Sequence, residues 1–183
     1  MTLSLAGTGL RRSELLALQW SDYDSEERTL TVRHHLVRAG RTGSSALLLE
    51  GGGKTAESSR TIAVPRFVAE ALDRRRQEAP SVKSGELDLV FATRLGTPVD
   101  PDVFNGRWRR IRDVIGFGWV STHTFRKSVA TLIDGAGLSA RIAADQLGHA
   151  RISMTQDTYM GRNTTHVAVA DILDAALLGE KGE

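Results

Sequence analysis

Apolar residues recur along this chain with two periods, one near 3.6 and one of 2, and the changes between them divide it into elements. Leu15 and Leu18 share one face of a segment, 10–19, that reads as a helix; a polar turn over 20–28 follows. Residues 30–38 are rich in β-formers and predict a strand. Residues 46–50 and 60–64 predict two more, joined by a loop around Gly51-Gly52-Gly53. Pro65 opens a helix that runs to about residue 78, with proline in its first turn. Asp100-Pro101 places a cap before a proline, and Phe104, Trp108, Ile111 and Ile115 then follow at helical spacing. Phe125, Val129 and Leu132 predict a helix over 122–135. Ser139 as cap and Gly148 as stop frame the next one. A short helix is predicted over 153–160 and a last one over 166–178, with Val169, Leu173 and Leu177 in register. The expected fold is mainly α, in the α+β class, with a small three-stranded antiparallel sheet in the N-terminal third. Residues 179–183 are expected to be a disordered tail.

Composition narrows this picture. The chain has 183 residues, 40% hydrophobic and 25% charged, which suits one globular domain with a real core. Aromatics are only 5%, so that core rests on Leu, Val, Ile and Ala. There is no cysteine, which excludes disulfides, thiolate metal sites and thiol catalysis. The histidines are His34, His35, His123, His149 and His166, without the i, i+4 spacing of a zinc helix, and no metal is expected. No apolar run approaches the roughly 18 residues of a membrane span, and no basic stretch followed by an apolar one marks the N-terminus. A cytoplasmic protein without membrane contact is the expectation. The net charge of +2 says little by itself. Its distribution says more: residues 28–66 carry a net +5 and residues 101–126 a net +3, with acidic ends. A basic middle suits a polyanion, although charge alone fits a solvated arginine-rich surface as well.

Several residues have two readings. Gly53-Lys54-Thr55 after an apolar run suggests a phosphate loop, but the glycine required six positions before the lysine is Leu48. A strand rather than a helix follows, so nucleotide binding is rejected. Arg11 shares the face of Leu15 and Leu18; it is either a structural ion pair with Glu14 or a guanidinium aimed at an anion. His123 and Arg126, three apart at a helix start, are either exposed basic residues or a phosphate site at the positive helix end. His149 after Leu147-Gly148 complements a helix C-terminus in the plain reading. Tyr159 reads plainly as a core tyrosine with a hydrogen-bonded hydroxyl.

Taken in order, these segments resemble a known family. Thr8-Gly9-Leu10-Arg11-Arg12-Ser13-Glu14-Leu15, continued by Leu18, Trp20, Asp22 and Asp24, is similar to the first arginine motif of the tyrosine recombinases, or phage integrases. Residues 54–62, Lys54 through Ile62, resemble that family's lysine-bearing β-hairpin, with Gly53 where proline usually precedes the lysine. His123-Thr124-Phe125-Arg126 matches the His-x-x-Arg box, Leu147-Gly148-His149 the next box, and Asp157-Thr158-Tyr159 resembles the nucleophile motif. The matches span Thr8 to Tyr159. The family's catalytic domain begins with a further helix, preceded by a separate DNA-binding domain. On that comparison residues 1–178 are expected to be an N-terminally truncated catalytic domain.

The resemblance implies transesterification at a DNA phosphodiester through a 3′-phosphotyrosine. Tyr159 is the implied nucleophile. Arg11 and Arg126 would hold the non-bridging oxygens, and Lys54 would protonate the departing 5′-oxygen. His123 would accept the tyrosine proton, His149 would donate to the phosphate, and Glu14 would orient an arginine or a histidine. Arg60, Arg107, Arg110 and Lys127 are expected on the DNA face. Bond energy stays in the phosphotyrosine, so no cofactor is implied. Double-stranded DNA is the expected partner. The full-length enzyme is expected to assemble with other protomers on DNA as a synaptic tetramer, and this chain to be a monomer without DNA. Two alternatives stay open: strand relaxation of the type IB topoisomerase kind, and a non-catalytic DNA-binding remnant of a mobile element.

Overall fold

The computed structural model describes residues 1–39, 46–51, 59–78, 87–148 and 167–178. Within them lie helices α1 (Thr2–Thr8), α2 (Arg12–Leu16), α3 (Arg66–Glu78), α4 (Pro101–Val114), α5 (Thr122–Gly135), α6 (Ala140–Leu147) and α7 (Val167–Leu178). The strands are β1 (Tyr23–Asp24), β2 (Thr29–Val32), β3 (His34–Arg38), β4 (Leu47–Gly51) and β5 (Arg60–Ala63). The mainly α architecture with a small antiparallel component is as expected. No helix among the described residues is long and apolar enough to cross a membrane.

The first arginine motif is a junction between two helices rather than the interior of one. Gly9 ends α1 in the left-handed region, φ 68°, and Arg11 restarts the chain in extended geometry before α2. After Leu16 the chain turns through a single 3₁₀ turn at Trp20–Asp22. The 10–19 helix is therefore shorter than predicted, and α1 was not predicted. Thr2–Thr8 carries no side-chain cap and sets Leu3 and Leu5 in alternation, which is not a helical signal. Its helicity comes from packing: Leu5 is fully buried, and the helix lies against α3, α5 and α7.

The predicted strand 30–38 is also two strands. Leu30, Val32 and Leu36 keep one inward face, so the alternation is continuous, but the partner changes at Arg33. Before it, β2 pairs antiparallel with β1 and β5; after it, β3 pairs with β4 from His34↔Gly51 to Arg38↔Leu47. Arg33 marks the switch by reaching the buried carboxylate of Asp22 at 3.0 Å. The result is a three-stranded sheet and a separate two-stranded hairpin in place of one sheet. Arg38 ties that hairpin to α4 through Asp100 at 2.9 Å and Asp102 at 2.7 Å, and Asp100 also caps α4.

Two apolar clusters support these elements. The larger joins α1, α2, the sheet and α3 through Leu5, Leu15, Leu30, Ile62, Val68, Leu72 and Phe91. The smaller joins α5, α6 and α7 through Val129, Ile133, Leu147, Val169 and Leu173. Two predicted stripes change direction. On α4, Phe104 and Trp108 are buried, whereas Ile111 and Ile115 are both 52% exposed. Trp108 is held by Phe125, 5.4 Å away between ring centroids, and by its indole N–H donating to the Val120 carbonyl at 2.9 Å; the helix leaves the core beyond that point. On α5 the fully buried residues are Val129 and Ile133, with Leu132 only packed against the edge of the cluster.

The last helix docks on its own chain. Val169 and Leu173 are fully buried against α5 and α6 residues, while Leu177, expected in the same stripe, is 46% exposed. Asp174 adds a polar anchor: its carboxylate accepts the backbone N–H of Arg66 at 2.7 Å and of Phe67 at 3.3 Å. A residue of α7 thereby caps the start of α3. Leu173→Ala is expected to cost about 3 kcal/mol and Asp174→Ala about 1 kcal/mol. Urea denaturation followed by circular dichroism checks both, and unchanged midpoints would mean that α7 does not contribute to the fold.

Candidate active site

The site is built at the end of a helix. The last carbonyls of an α-helix lack intrahelical partners and carry the negative end of its dipole. At the end of α6 three consecutive carbonyls each accept from a different arginine. Arg60 Nε donates to Gln146 O at 3.2 Å, Arg126 Nη2 to Leu147 O, and Arg11 Nη2 to Gly148 O at 3.3 Å. The three arginines come from β5, α5 and the start of α2. Gly148 has φ 68°, and a Cβ there would lie 2.5 to 2.9 Å from the Arg60 guanidinium. Only glycine both ends this helix and admits that side chain.

Glu14 is the counter-charge. Its Oε2 accepts the Arg11 backbone N–H at 2.7 Å and its Oε1 the Arg11 guanidinium at 2.8 Å. Arg60 reaches both oxygens as well, Nη1 to Oε1 at 3.1 Å and Nη2 to Oε2 at 2.9 Å. The Glu14 and Arg60 side chains are only 8% and 11% exposed. Burial pushes the Glu14 carboxyl up, but the Arg60 ion pair and the bonds from Arg11 outweigh it and hold the pKa below the ordinary value.

Arg126 has a different environment. It is buried and bonds to the carbonyls of Gly9 at 2.9 Å and Leu147, with no carboxylate in ion-pair contact among the described residues. Burial first, and then the charges of Arg11 and Arg60, lower its pKa to about 10 against the opposing pull of Glu14. It remains a cation near neutrality. Among the described residues the cluster thus holds three guanidiniums against one buried carboxylate, and the excess positive charge suits an anion. Arg11 is its open member, with 48% of its side chain exposed.

Of the residues singled out in the sequence, Arg11, Glu14 and Arg126 come together here. Arg11 satisfies both of its readings, since it pairs with Glu14 and stays accessible. His123 is exposed, one turn before Arg126 on α5. Ser121 caps that helix by accepting the Thr124 N–H at 3.2 Å, which sets where the His-x-x-Arg turn begins. Lys54, His149 and Tyr159 lie outside the described residues, as does the predicted helix over 153–160 and the predicted tail. Arg107, Arg110 and Lys127 are exposed on α4 and α5. Arg60 departs from its expected place on a DNA face: its guanidinium turns inward onto Glu14 and α6 because that buried carboxylate needs a second cation. Gln146 carried no sequence signal. It is buried, and its amide donates to Thr8 O at 3.0 Å, fastening α6 to α1 beneath the arginines.

The chain is similar to known proteins over most of its length. The model of the phage integrase family matches residues 1–166. A protein named tyrosine recombinase XerC-like, from Caldanaerobacter subterraneus subsp. tengcongensis, is 30% identical over 174 residues, 88% of this chain and 43% of that protein. The integrase of Mycobacterium phage L5 is 26% identical over 169 residues, 92% of this chain and 45% of the phage protein. The chain therefore spans less than half the length of these relatives. Among solved structures, the Tn1549 transposon integrase in complex with circular intermediate DNA superposes with a TM-score of 0.72 at 26% identity, over 87% of this chain and 54% of that one. XerA recombinase shares the fold, with a TM-score of 0.58 at 21% identity over 98% of this chain and 55% of that one. With three arginines gathered where the motifs placed two, and a family model matching nearly the whole sequence, this chain belongs to the phage integrase family.

Proposed function

We propose that the chain is the catalytic domain of a site-specific DNA recombinase that cleaves and rejoins strands through a 3′-phosphotyrosine. The observation that carries this reading is the cluster of Arg11, Arg60 and Arg126 around the buried Glu14 carboxylate, gathered on the carbonyls of Gln146, Leu147 and Gly148 where the Leu147-Gly148-His149 box begins. Tyr159 attacks the phosphorus and displaces the 5′-oxygen. A second DNA 5′-hydroxyl then reverses the step on a new partner, and no cofactor is required. The pentacoordinate transition state gathers negative charge on its non-bridging oxygens, and preorganised guanidiniums stabilise that charge. Arg11 supplies the accessible one. Arg126, a buried cation without a carboxylate in ion-pair contact among the described residues, adds to the positive field there.

Proton movements complete the scheme. A tyrosine hydroxyl, with a reference pKa of about 10, needs a base near neutrality, and His123 takes that proton. His149 donates to the phosphate, and Lys54 protonates the leaving 5′-oxygen. Arg107, Arg110 and Lys127 face the DNA backbone. The partner is double-stranded DNA, and the full-length protein works in the cytoplasm as a tetramer on paired sites, while the chain without DNA is a monomer.

Two experiments test this. A library of nicked duplexes with a randomised segment is offered to the full-length protein, and detergent-resistant complexes are captured. Wild type is expected to yield covalent adducts, and Tyr159→Phe none, with duplex affinity roughly unchanged. An adduct surviving in the Phe variant would sink the assignment. On the captured sequence, Lys54→Ala is expected to cleave slowly, and a substrate with sulfur at the bridging 5′-position to restore its rate. No rescue would leave Lys54 as a phosphate contact only.

A further inference from the structure

The motif resemblance gave roles at the phosphate to Arg11, Glu14 and Arg126, but the pairing of Glu14 with Arg60 deep in the site has no role in it. Arg60 stands at the first residue of β5, six positions after Lys54. All three of its guanidinium nitrogens are engaged: Nη1 and Nη2 form a bidentate pair with Glu14, and Nε donates to Gln146 O. Its side chain is 11% exposed, and Gly148 is cut away to receive it. Arg11 makes the same two connections from its own turn, to Glu14 and to Gly148 O, with its side chain half exposed; Arg60 makes them from the sheet, beneath it.

We infer that Arg60 is a positioning residue of the reaction. It locks three separately folded pieces into one register: the strand that continues from the Lys54 segment, the Glu14 carboxylate that holds Arg11, and the helix end that leads directly into His149. The geometry assigns it this role rather than DNA contact, because the guanidinium is turned inward and each of its three nitrogens is engaged there. Planarity matters here. A guanidinium presents its donors as a rigid fork, so fixing two of them on Glu14 also fixes the direction of the third. An ammonium at the same place keeps the charge and loses the register.

The inference rests on the recombinase reading, and its test separates the two. Adduct formation on the captured nicked duplex is measured for wild type, Arg60→Lys and Arg60→Met in the full-length protein, with duplex affinity by fluorescence anisotropy and folding by circular dichroism. Failure of wild type to form any adduct overturns the recombinase reading itself. If wild type reacts, both variants are expected to bind DNA within about threefold of it, because Arg60 does not face solvent. Both are expected to cleave roughly 100-fold more slowly, the loss that follows from misplacing reacting groups by about 1 Å. Wild-type rates in a folded Arg60→Lys would overturn the proposal. Should Arg60→Met fail to fold, Arg60→Lys alone decides.

The pH profile supplies a readout that a merely structural role does not move. Arg11 faces Glu14 from its own turn, Arg60 from β5 and Arg126 from α5, while α6 presents carbonyls there. In wild type the carboxyl is held low. Without Arg60 the burial that raises it is opposed mainly by Arg11, so the carboxyl takes up a proton at higher pH and releases Arg11. The acid limb of the cleavage rate in Arg60→Met is therefore expected to shift to higher pH, and the double variant Glu14→Gln, Arg60→Met to lose that shift. An acid limb identical in wild type and Arg60→Met would overturn the coupling.

Discussion

A buried helix end must find donors for its last carbonyls, and the rest of this structure follows from how α6 finds them. Backbone N–H groups from a neighbouring strand or turn would satisfy the carbonyls at little cost. Here the donors are arginines from three other elements. Arg60 and Arg126 bring full charges into the interior and Arg11 holds a third at its edge, and that choice creates the remaining demands on the sequence: a buried Glu14 to limit the repulsion, a glycine at 148 to leave room, and a buried Gln146 to fasten the helix from below. A helix terminus that needs no chemistry for its own stability thus becomes an organised cationic surface.

The same arrangement explains why the charge is left unbalanced. Pairing every arginine with a carboxylate would give a stable but inert ion cluster, since buried pairs offset their own desolvation and little more. Glu14 serves two guanidiniums, and Arg126 relies on carbonyl dipoles. Burial weakens the hold of Arg126 on its proton without removing it near neutrality. Among the described residues the cluster therefore keeps more positive charge than its carboxylate balances, an arrangement suited to an anion.

Much of this was legible in the sequence, for reasons that can be traced. The bounds of α6 were marked by side-chain chemistry that acts locally, namely the Ser139 hydroxyl and the left-handed glycine at 148, and α5 was marked by its apolar spacing. The motif residues Arg11, Glu14 and Arg126 were legible because residue type and order carry them. What was not legible depends on distant contacts. Helix α1 has no cap and no helical stripe, and forms because three other helices surround it. The change of partner at Arg33 leaves the alternation intact, so the pattern gives no sign of it. The inward turn of Arg60 needs Glu14, 46 residues away in sequence, and Gln146, 86 residues away. Neither distance leaves a mark on local periodicity.

The docking of α7 has one more consequence. It is held by the recess for Val169 and Leu173, and by the N–H pair of Arg66 and Phe67 that receives Asp174. Asp174 follows the helix start that it caps by 108 residues. During synthesis α3 leaves the ribosome well before its cap does, so the helix gains its full stability only once α7 has been made and seated.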